Sequence, residues 1–263
     1  MSNKKIIINI QVFNSFKNLP KIFKNIKKSK LNITNIILID NNSTMKLSEK
    51  IKMIKELKVK YKIKIKIKFI VNKMNYGYGG SQKILFNLLK KETFDYVLNL
   101  GTSNRYNIKS VLRDVKKNLN TSKEYYLFSR FINKKSTRDY NKVRRDFNIV
   151  FILITKIFTQ TFFSDPGQTT YLMKSKLLKN LNKIKVQNIT NGSHFGHFLN
   201  IKLYRLGLDY KEIPITWKEG NVKSHLKPLS YVIIFSFSIL RYFFTREFII
   251  EKNNKFKFDS YIF

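Results

Sequence analysis

Four short polar segments, each directly after an apolar run, hold the side chains that could bind a ligand: Gln11–Ser15, Asp40–Thr44, Asn75–Lys83 and Gly101–Arg105. The ring of Phe13 could stack on a flat base. The carboxylate of Asp40 could accept hydrogen bonds from a base or from ribose hydroxyls. Together the four segments predict a site for a nucleotide-like ligand.

The third segment, NYGYGGSQK, is rich in glycine and leads into an amphipathic stretch. Gly77, Gly79 and Gly80 would let the backbone approach a ligand closely. The amino end of the following helix favours an anion, and Lys83 in its first turn could counter a diphosphate. Because such turns are often only turns, the prediction depends on this segment lying beside the other three.

A regular alternation of apolar and amphipathic stretches must position these segments. Strands are predicted at Ile6–Phe13, Ile33–Asp40, Ile63–Val71, Tyr96–Leu100 and Tyr125–Phe128, with helices at Ser15–Ile26, Leu47–Val59, Ser81–Leu89 and Ile108–Leu119. The alternation predicts an α/β fold with a mostly parallel sheet and helices on both faces. Ligands of such sheets bind outside the carboxyl ends of the strands, where all four polar segments lie.

The second half of the chain is less regular. We predict helices at about 140–162 and 197–206, a short strand or loop at 168–173 and a strand at 210–215. The main domain is expected to span residues 1–222, followed by an apolar helix within 223–251. The last segment, 252–263, is predicted to be a loosely held tail.

Two stretches, Phe147–Phe163 and Leu229–Ile250, are unusually apolar. The first contains Lys156 and the second contains Arg241, so neither suits a spanning helix, which needs roughly 20 largely uncharged residues. The second stretch fits a helix lying in the membrane interface. It fits a helix buried in the core or against a partner subunit equally well, so both interpretations stay open.

The formal net charge of +36 over 263 residues indicates an anionic partner, such as a membrane surface, a phosphorylated substrate or nucleic acid. Lys, Ile and Asn are abundant throughout, so a general compositional bias explains most of this charge. No motif typical of nucleic-acid-binding proteins occurs, and no specific nucleic acid is expected as a partner.

The sequence also bears on the expected cellular location and on the kinds of metal site that are possible. The absence of Cys excludes disulfides and thiolate metal sites. The amino terminus lacks a signal-peptide pattern, so a cytoplasmic location is expected, peripheral on the inner face of the membrane if the last helix contacts lipid. His194 and His197 are spaced to share one helix face, but without a third ligand a packed pair is the expected arrangement.

Several motifs, in the right order, resemble family 2 glycosyltransferases. IQVFNSFKNL is similar to their IPxYNEExNL opening, and IDNNST stands where they carry VDDGST. NYGYGGSQK is similar to the NxGYGGNQK segment of a bacterial branch resembling dolichol-phosphate mannosyltransferases. SRF, LGLDYKEIPITW and GNVKSHLK match later motifs, so the resemblance covers most of the chain.

This resemblance implies a GT-A (Rossmann-like) fold, a nucleotide-sugar donor and a polyprenyl-phosphate or glycan acceptor. It places nucleoside and donor contacts at Gln11, Phe13, Ser15, Asp40, Asn41, Gly79, Gly80, Lys83, Thr102 and Ser103. It implies that Asp165 is the catalytic acidic residue. Acceptor or diphosphate contacts are expected at Arg130, Ser224 and His225, and the residues themselves add Arg105 as a cation for the diphosphate.

The departures from the family pattern concern acidic residues. The family's DxD metal motif reads Gly101-Thr102-Ser103 here, Ser15 replaces a Glu, Asn41 an Asp and Phe198 a Glu. Mg²⁺ or Mn²⁺ would be the expected cofactor of the family, yet this loop offers no carboxylate. No cofactor is therefore predicted with certainty, and transfer without a metal is expected.

Without a metal, Lys83, Arg105, Arg130 and Lys223 could neutralise the leaving diphosphate. An acceptor phosphate would already be ionised near neutral pH. Asp165 is the candidate base for a hydroxyl acceptor, although its spacing alone favours an N-cap or turn residue before Pro166-Gly167. The alternatives are a catalytically degenerate relative that binds ligand or partner without turnover, and a basic nucleic-acid-binding protein.

Overall fold

The computed structural model describes residues 3–218, 228–248 and 255–263. Its strands, within those ranges, are β1 (Ile6–Val12), β2 (Ile33–Asp40), β3 (Lys66–Asn72), β4 (Tyr96–Gly101), β5 (Tyr125–Ser129), β6 (Tyr171–Lys174), β7 (Tyr210–Pro214) and β8 (Phe258–Ile262). They form one sheet in the order β7-β5-β6-β4-β1-β2-β3-β8. The pairs β1–β2, β1–β4, β2–β3 and β5–β7 are parallel, whereas β6 and β8 run antiparallel to their neighbours.

The described helices are α1 (Leu19–Lys28), α2 (Leu47–Lys60), α3 (Gly77–Leu89), α4 (Ile108–Asn118), α5 (Lys142–Thr159), α6 (Leu177–Lys183), α7 (Phe195–Arg205) and α8 (Pro228–Thr245). Short 3₁₀ turns lie at Phe16–Asn18, Lys134–Thr137 and Val186–Asn188. The predicted mostly parallel α/β sheet with helices around it is confirmed.

Two apolar cores cover the two faces of the sheet. Along β1, Ile6, Ile8 and Ile10 point into the core formed with α1, α2 and α4. Ile7, between them, points into the core formed with α3, α7 and α8. Alternating side chains on a strand leave on opposite faces, so a strand of consecutive isoleucines is buried on both sides.

The parallel register brings the carboxyl ends of the central strands level with one another. Gln11 pairs with Ile39 of β2 and with Gly101 of β4. Val12 pairs with Asp40. The loops that follow β1, β2, β3 and β4 therefore meet at one end of the sheet, which we call the carboxyl edge.

The chain's last residues form a strand, so the prediction of a loosely held tail is wrong for Phe258–Ile262. This segment pairs antiparallel with β3 and becomes an edge of the sheet. Lys73 pairs with Asp259, and the ring of Tyr76 packs against Phe256 at 5.1 Å between centroids. These long-range contacts have no local sequence signature, which is why composition alone indicated a tail.

The apolar helix α8 packs partly into the core. Phe235, Ile239 and Tyr242 are buried with α3 and α7. None of the described helices is long and apolar enough to cross a membrane. One face of α8 thus packs into the core, as expected for a core-packed helix. Its opposite face is exposed.

The histidine pair is packed rather than ligating. His194 stacks on Phe198 and Phe235, and the Nε2 atom of His197 lies 2.8 Å from the Thr155 hydroxyl. No group of three His, Cys, Asp or Glu residues in the described ranges could hold a metal ion. Phe198, where the family carries a Glu, stacks on Phe248 at 4.0 Å. Stacked aromatic rings therefore fill the position where the resemblance implies a carboxylate.

Burial, together with the neighbouring His194, lowers the pKa of His197 from 6.5 to about 3. Its folded form stays neutral while the unfolded chain gains a proton below pH 6.5. We predict that the free energy of unfolding falls by about 2 kcal/mol more in the wild type than in His197→Gln between about pH 7 and about pH 5. Urea titrations at both pH values measure this difference, and equal losses in the two proteins would contradict it.

Candidate functional site

The loops after β1 and β4 are joined by hydrogen bonds at the carboxyl edge. The hydroxyls of Ser15 and Thr102 lie 2.5 Å apart, and the Thr102 hydroxyl donates to the Gln11 carbonyl at 3.1 Å. Asn18 donates to the Thr102 carbonyl at 2.7 Å. Three predicted site residues, Gln11, Ser15 and Thr102, therefore lie together, and Ser15 and Thr102 hold the two loops in place.

Asp40 has both carboxylate oxygens engaged within the protein. One oxygen accepts from the Lys50 ammonium at 2.6 Å, and the other accepts from the backbone and hydroxyl of Ser43. The Asp40 and Lys50 side chains are 0% and 4% exposed. This buried ion pair fixes the start of the loop after β2, so Asp40 shapes the site from beneath.

Asparagines connect the loops after β1, β2 and β3. The Asn14 side chain accepts from the Thr44 backbone amide at 2.9 Å, and the backbone amide of Asn14 donates to the Ser43 hydroxyl. Asn41 donates to the Asn75 side chain at 2.6 Å and accepts from the Tyr76 amide at 2.9 Å. Asn41, predicted as a nucleoside contact, thus ties two loops together. Short amide side chains can do so without burying a charge.

The glycines of α3 accommodate protein backbone. Gly77 has φ +73°, a left-handed conformation that glycine adopts readily, and a Cβ there would collide with the Asn191 carbonyl. The Gly79 and Gly80 amides donate to that same carbonyl at 2.7 and 3.2 Å. The structure therefore corrects the prediction of an anion at this helix end, because a loop carbonyl occupies it.

Lys83 is fully buried, and its ammonium is held by the loop that ends at Asn191. Its ammonium donates to the carbonyls of Gln187 and Ile189 at 2.9 and 2.5 Å, and to the Asn191 side chain at 2.7 Å. An ammonium has three protons, and all three are used here. The predicted contact between Lys83 and a diphosphate is therefore not formed by this arrangement. Lys83 instead anchors the loop that ends at Asn191.

Gln11 presents a polar group that the protein leaves unsatisfied. Its Nε2 atom is buried and has no hydrogen-bond partner among the described residues. A buried amide donor without an acceptor costs free energy. Because the atom itself is buried, the Gln11 side chain must turn outward before its amide can donate to a bound ligand. The half-buried ring of Phe13 lies two residues further along the same loop.

Ser103 and Arg105 form the turn after β4. The Arg105 amide donates to the Ser103 hydroxyl at 3.1 Å, and the Arg105 carbonyl accepts from the Lys218 amide at 2.6 Å. Both side chains are half-buried. The turn thus brings a hydroxyl and a guanidinium to the end of the central strand β4.

The same turn does not fit a divalent cation. Gly101 has no side chain, the Thr102 hydroxyl is bonded to Gln11 and Ser15, and Ser103 offers a neutral oxygen. Mg²⁺ and Mn²⁺ prefer carboxylate oxygens. The carboxylate of Asp40 is already held by Lys50. Among the residues that the structure describes, those at this edge therefore supply no set of metal ligands.

Arg130 and Asp165, both predicted site residues, are bound to each other. The guanidinium donates to both carboxylate oxygens of Asp165 at 2.7 and 2.8 Å, and the Arg130 amide adds a third bond at 3.0 Å. The guanidinium also lies 5.2 Å from the Trp217 ring centroid. Both oxygens of the Asp165 carboxylate are engaged by Arg130, so Asp165 positions the loop after β5.

Glu212 is a half-buried acidic residue that is not among the site residues predicted from the sequence. Its carboxylate accepts from the Ser164 amide and hydroxyl at 3.0 and 2.8 Å. Burial raises its pKa, and the neighbouring charge of Asp165 raises it further. Glu212 belongs to the EIPI segment, which therefore marks a residue that holds the Asp165 turn.

A network of buried amides and tyrosines, also missed, lies beneath the edge. Gln82 donates to Asn99 at 2.9 Å and accepts from the Tyr171 hydroxyl at 2.7 Å, while Asn99 donates to the Thr169 carbonyl at 2.6 Å. Gln82, which belongs to the GGSQK segment, thus connects α3 with β4 and β6. The remaining predicted contacts, Ser224 and His225, and the cation Lys223 lie outside the described residues.

The sequence profile of a family described as Glycosyl transferase family 2 matches residues 7–181. That range runs from β1 into α6 and includes the whole carboxyl edge. No curated protein matches the sequence.

Solved structures share this fold. Glucosyl-3-phosphoglycerate synthase from Mycobacterium tuberculosis in complex with phosphoglyceric acid superposes with a TM-score of 0.61 at 14% identity, over 95% of this chain and 82% of the other. The same enzyme with Mn²⁺, uridine diphosphate and glucosyl-3-phosphoglycerate gives 0.58 at 12% identity, over 98% and 87%. At identities this low, the superpositions show a likeness of fold alone.

The Asp40–Lys50 pair generates a stability prediction. Lys50→Met leaves a buried carboxylate without its cation and should cost about 3–5 kcal/mol of unfolding free energy. Adding Asp40→Asn removes the stranded charge, so the double variant should be clearly more stable than Lys50→Met alone. Urea unfolding monitored by circular dichroism measures both.

The control is the exposed pair of Lys123 and Asp209, whose side chains are 39% and 48% exposed. Lys123→Met should cost less than about 1 kcal/mol. If Lys50→Met cost no more than Lys123→Met, the buried pair would not have the structural role assigned to it.

Proposed function

Because this chain belongs to glycosyl transferase family 2, we propose that it transfers a sugar from a nucleotide-diphosphate donor to a polyprenyl-phosphate or glycan acceptor, without a divalent cation. The observation that carries the proposal is the buried, unsatisfied amide of Gln11 at the carboxyl edge. Family membership supplies the reaction class, and this amide supports a position for the nucleoside. Membership of the branch resembling dolichol-phosphate mannosyltransferases is part of the proposal.

The donor would lie across the loops after β1 and β4. In this proposal the Gln11 side chain turns outward and its amide donates to a carbonyl oxygen of the base, while Phe13, two residues further along the loop, is the candidate for stacking. These two loops are already joined by the Ser15–Thr102 contact, and the loops after β2 and β3 are joined by the Asn41–Asn75 contact. A site fixed before the ligand arrives loses less entropy on binding.

The reaction is a single inverting displacement. An acceptor oxygen attacks the anomeric carbon of the sugar, and a carbon–oxygen bond forms there. The bond from that carbon to the diphosphate breaks, and the nucleoside diphosphate leaves with the electron pair. The chain must therefore stabilise negative charge that develops on the leaving diphosphate.

Arg105 is the proposed cation for that charge. It adjoins Ser103 at the carboxyl end of β4, where the family pattern has its metal motif. A guanidinium donates two parallel hydrogen bonds to phosphate oxygens. Lys83 and Arg130 lie elsewhere, the first against the Gln187–Asn191 loop and the second against Asp165.

An acceptor phosphate suits this site better than a hydroxyl. The Asp165 carboxylate is engaged by Arg130 on both oxygens, so neither oxygen is positioned for an acceptor hydroxyl in this arrangement. A phosphate monoester is ionised near neutral pH and needs no base. We therefore place polyprenyl phosphate ahead of a glycan hydroxyl as the acceptor class.

A non-catalytic relative is the second candidate, favoured by the same Asp165–Arg130 pair and by the Gly101-Thr102-Ser103 turn. It would retain nucleotide binding at the carboxyl edge without transfer. Release of nucleoside diphosphate in the presence of a short-chain polyprenyl phosphate separates the two candidates, since only an enzyme releases it catalytically.

Restoring an acidic residue to the turn tests the metal-free site. Wild-type affinity for UDP-glucose or GDP-mannose, measured by calorimetry, should be the same in EDTA and in Mn²⁺. Ser103→Asp should bind weakly in EDTA, because its carboxylate repels the diphosphate, and Mn²⁺ should raise its affinity roughly tenfold or more by bridging the two anions.

The control is Ser122→Asp, which adds the same charge at the exposed turn before β5, at the opposite end of the sheet. Its affinity should match the wild type in both buffers. Wild-type binding that requires Mn²⁺ would refute metal-independent donor binding, and absence of binding to every nucleotide-sugar tried would refute the donor site itself.

A further inference from the structure

Helices α5 and α8 expose rows of large apolar side chains. On α5, Phe147, Val150 and Ile157 are 57%, 51% and 70% exposed. On α8, Phe237 and Phe244 are 64% and 78% exposed. Spacings of three and seven residues place each row along one face of its helix. Soluble monomers seldom leave contiguous apolar patches larger than a few hundred Å² uncovered.

The two helices lie side by side in the same direction. Phe151 packs edge-on against Phe235 at 4.9 Å between centroids, and Phe158 packs against Phe243 at 5.6 Å. The opposite sides of the helices face the core, where Thr155 bonds His197 and Phe235 is fully buried. The exposed rows are therefore neighbours, and we call their combined area the helix-pair surface.

Basic residues accompany the helix-pair surface. Lys142 and Arg144 are exposed in the first turn of α5, and Arg241 and Arg246 are exposed at the end of α8. Acidic residues are few in the two segments: Asp146 is paired with Arg145 at 3.2 Å, and Glu247 follows Arg246. The apolar area thus carries a positive border.

This combination narrows the class of partner. A second copy of the chain would bring a like positive border to its own, and each chain carries a formal charge of +36. A nucleic acid offers phosphates but leaves exposed phenylalanines unsatisfied. An anionic bilayer offers both an apolar interior and negative headgroups, and none of the described helices is suited to cross it.

We propose that the helix-pair surface docks in the plane of an anionic lipid bilayer. Phe147, Phe237 and Phe244 enter the boundary between headgroups and acyl chains, and the basic residues contact the headgroups. This proposal deepens the proposed function, since a polyprenyl-phosphate acceptor is met at a membrane. The test below contains no donor or acceptor, so its failure leaves the transfer reaction to be judged by nucleotide release.

Vesicle co-sedimentation tests the proposal with the whole chain. The wild type should partition onto vesicles of phosphatidylcholine with phosphatidylglycerol, and much less onto phosphatidylcholine alone. Raising NaCl from about 0.1 to about 0.5 M should weaken the binding by screening. Phe237→Ser with Phe244→Ser should lower the partition coefficient roughly tenfold or more.

The matched control is Val59→Ser with Leu206→Ser, which removes apolar side chains that are 78% and 45% exposed elsewhere. This pair should bind vesicles like the wild type. Emission of the sole tryptophan, Trp217, reports that each variant is folded.

Two results would overturn the proposal. One is equal vesicle binding by the wild type and by the Phe237/Phe244 variant. The other is a wild type that ignores vesicles but self-associates in analytical ultracentrifugation, with the association lost in that variant. The second result would assign the helix-pair surface to another copy of the chain.

Discussion

The carboxyl edge depends on one constraint: a charge buried in a protein must have a partner of opposite charge or a full set of hydrogen bonds. Asp40 and Lys50 satisfy each other beneath the loop after β2. Lys83 binds three oxygens of the loop ending at Asn191, and Arg130 holds Asp165. Each contact fixes a different loop, so the edge is built by internal charges rather than by charges reserved for a ligand.

The proposed chemistry uses other polar groups at the same edge. Gln11 retains an unsatisfied amide donor, and Ser103 and Arg105 form the turn where a metal motif would stand. Neutral donors and a guanidinium can hold a diphosphate, whereas they offer a divalent cation no carboxylate. Metal-free transfer is therefore supported by the position of Arg105 at this edge and by the lack of a carboxylate in the Gly101-Thr102-Ser103 turn.

Much of the fold could be predicted from the sequence, because alternating apolar and amphipathic stretches are local signals. β8 could not, since its pairing with β3 joins residues far apart in the chain. The sequence also located the carboxyl edge. It could not show that Lys83 faces inward, because a lysine one turn into a helix is compatible with solvent, ligand or a distant loop. Lys50 had a usable signal: it shares a helix face with Ile54 and Leu57, both buried.

The central claim is that the carboxyl edge binds a nucleotide-sugar without a metal. A crystal structure of the EDTA-treated protein soaked with UDP-glucose or GDP-mannose, followed by a Mn²⁺ soak with anomalous data, tests it most directly. The account predicts the base against Gln11, the diphosphate against Arg105 and no manganese peak at Gly101-Thr102-Ser103. A manganese peak bridging that turn and the diphosphate would contradict it, as would a nucleotide bound elsewhere.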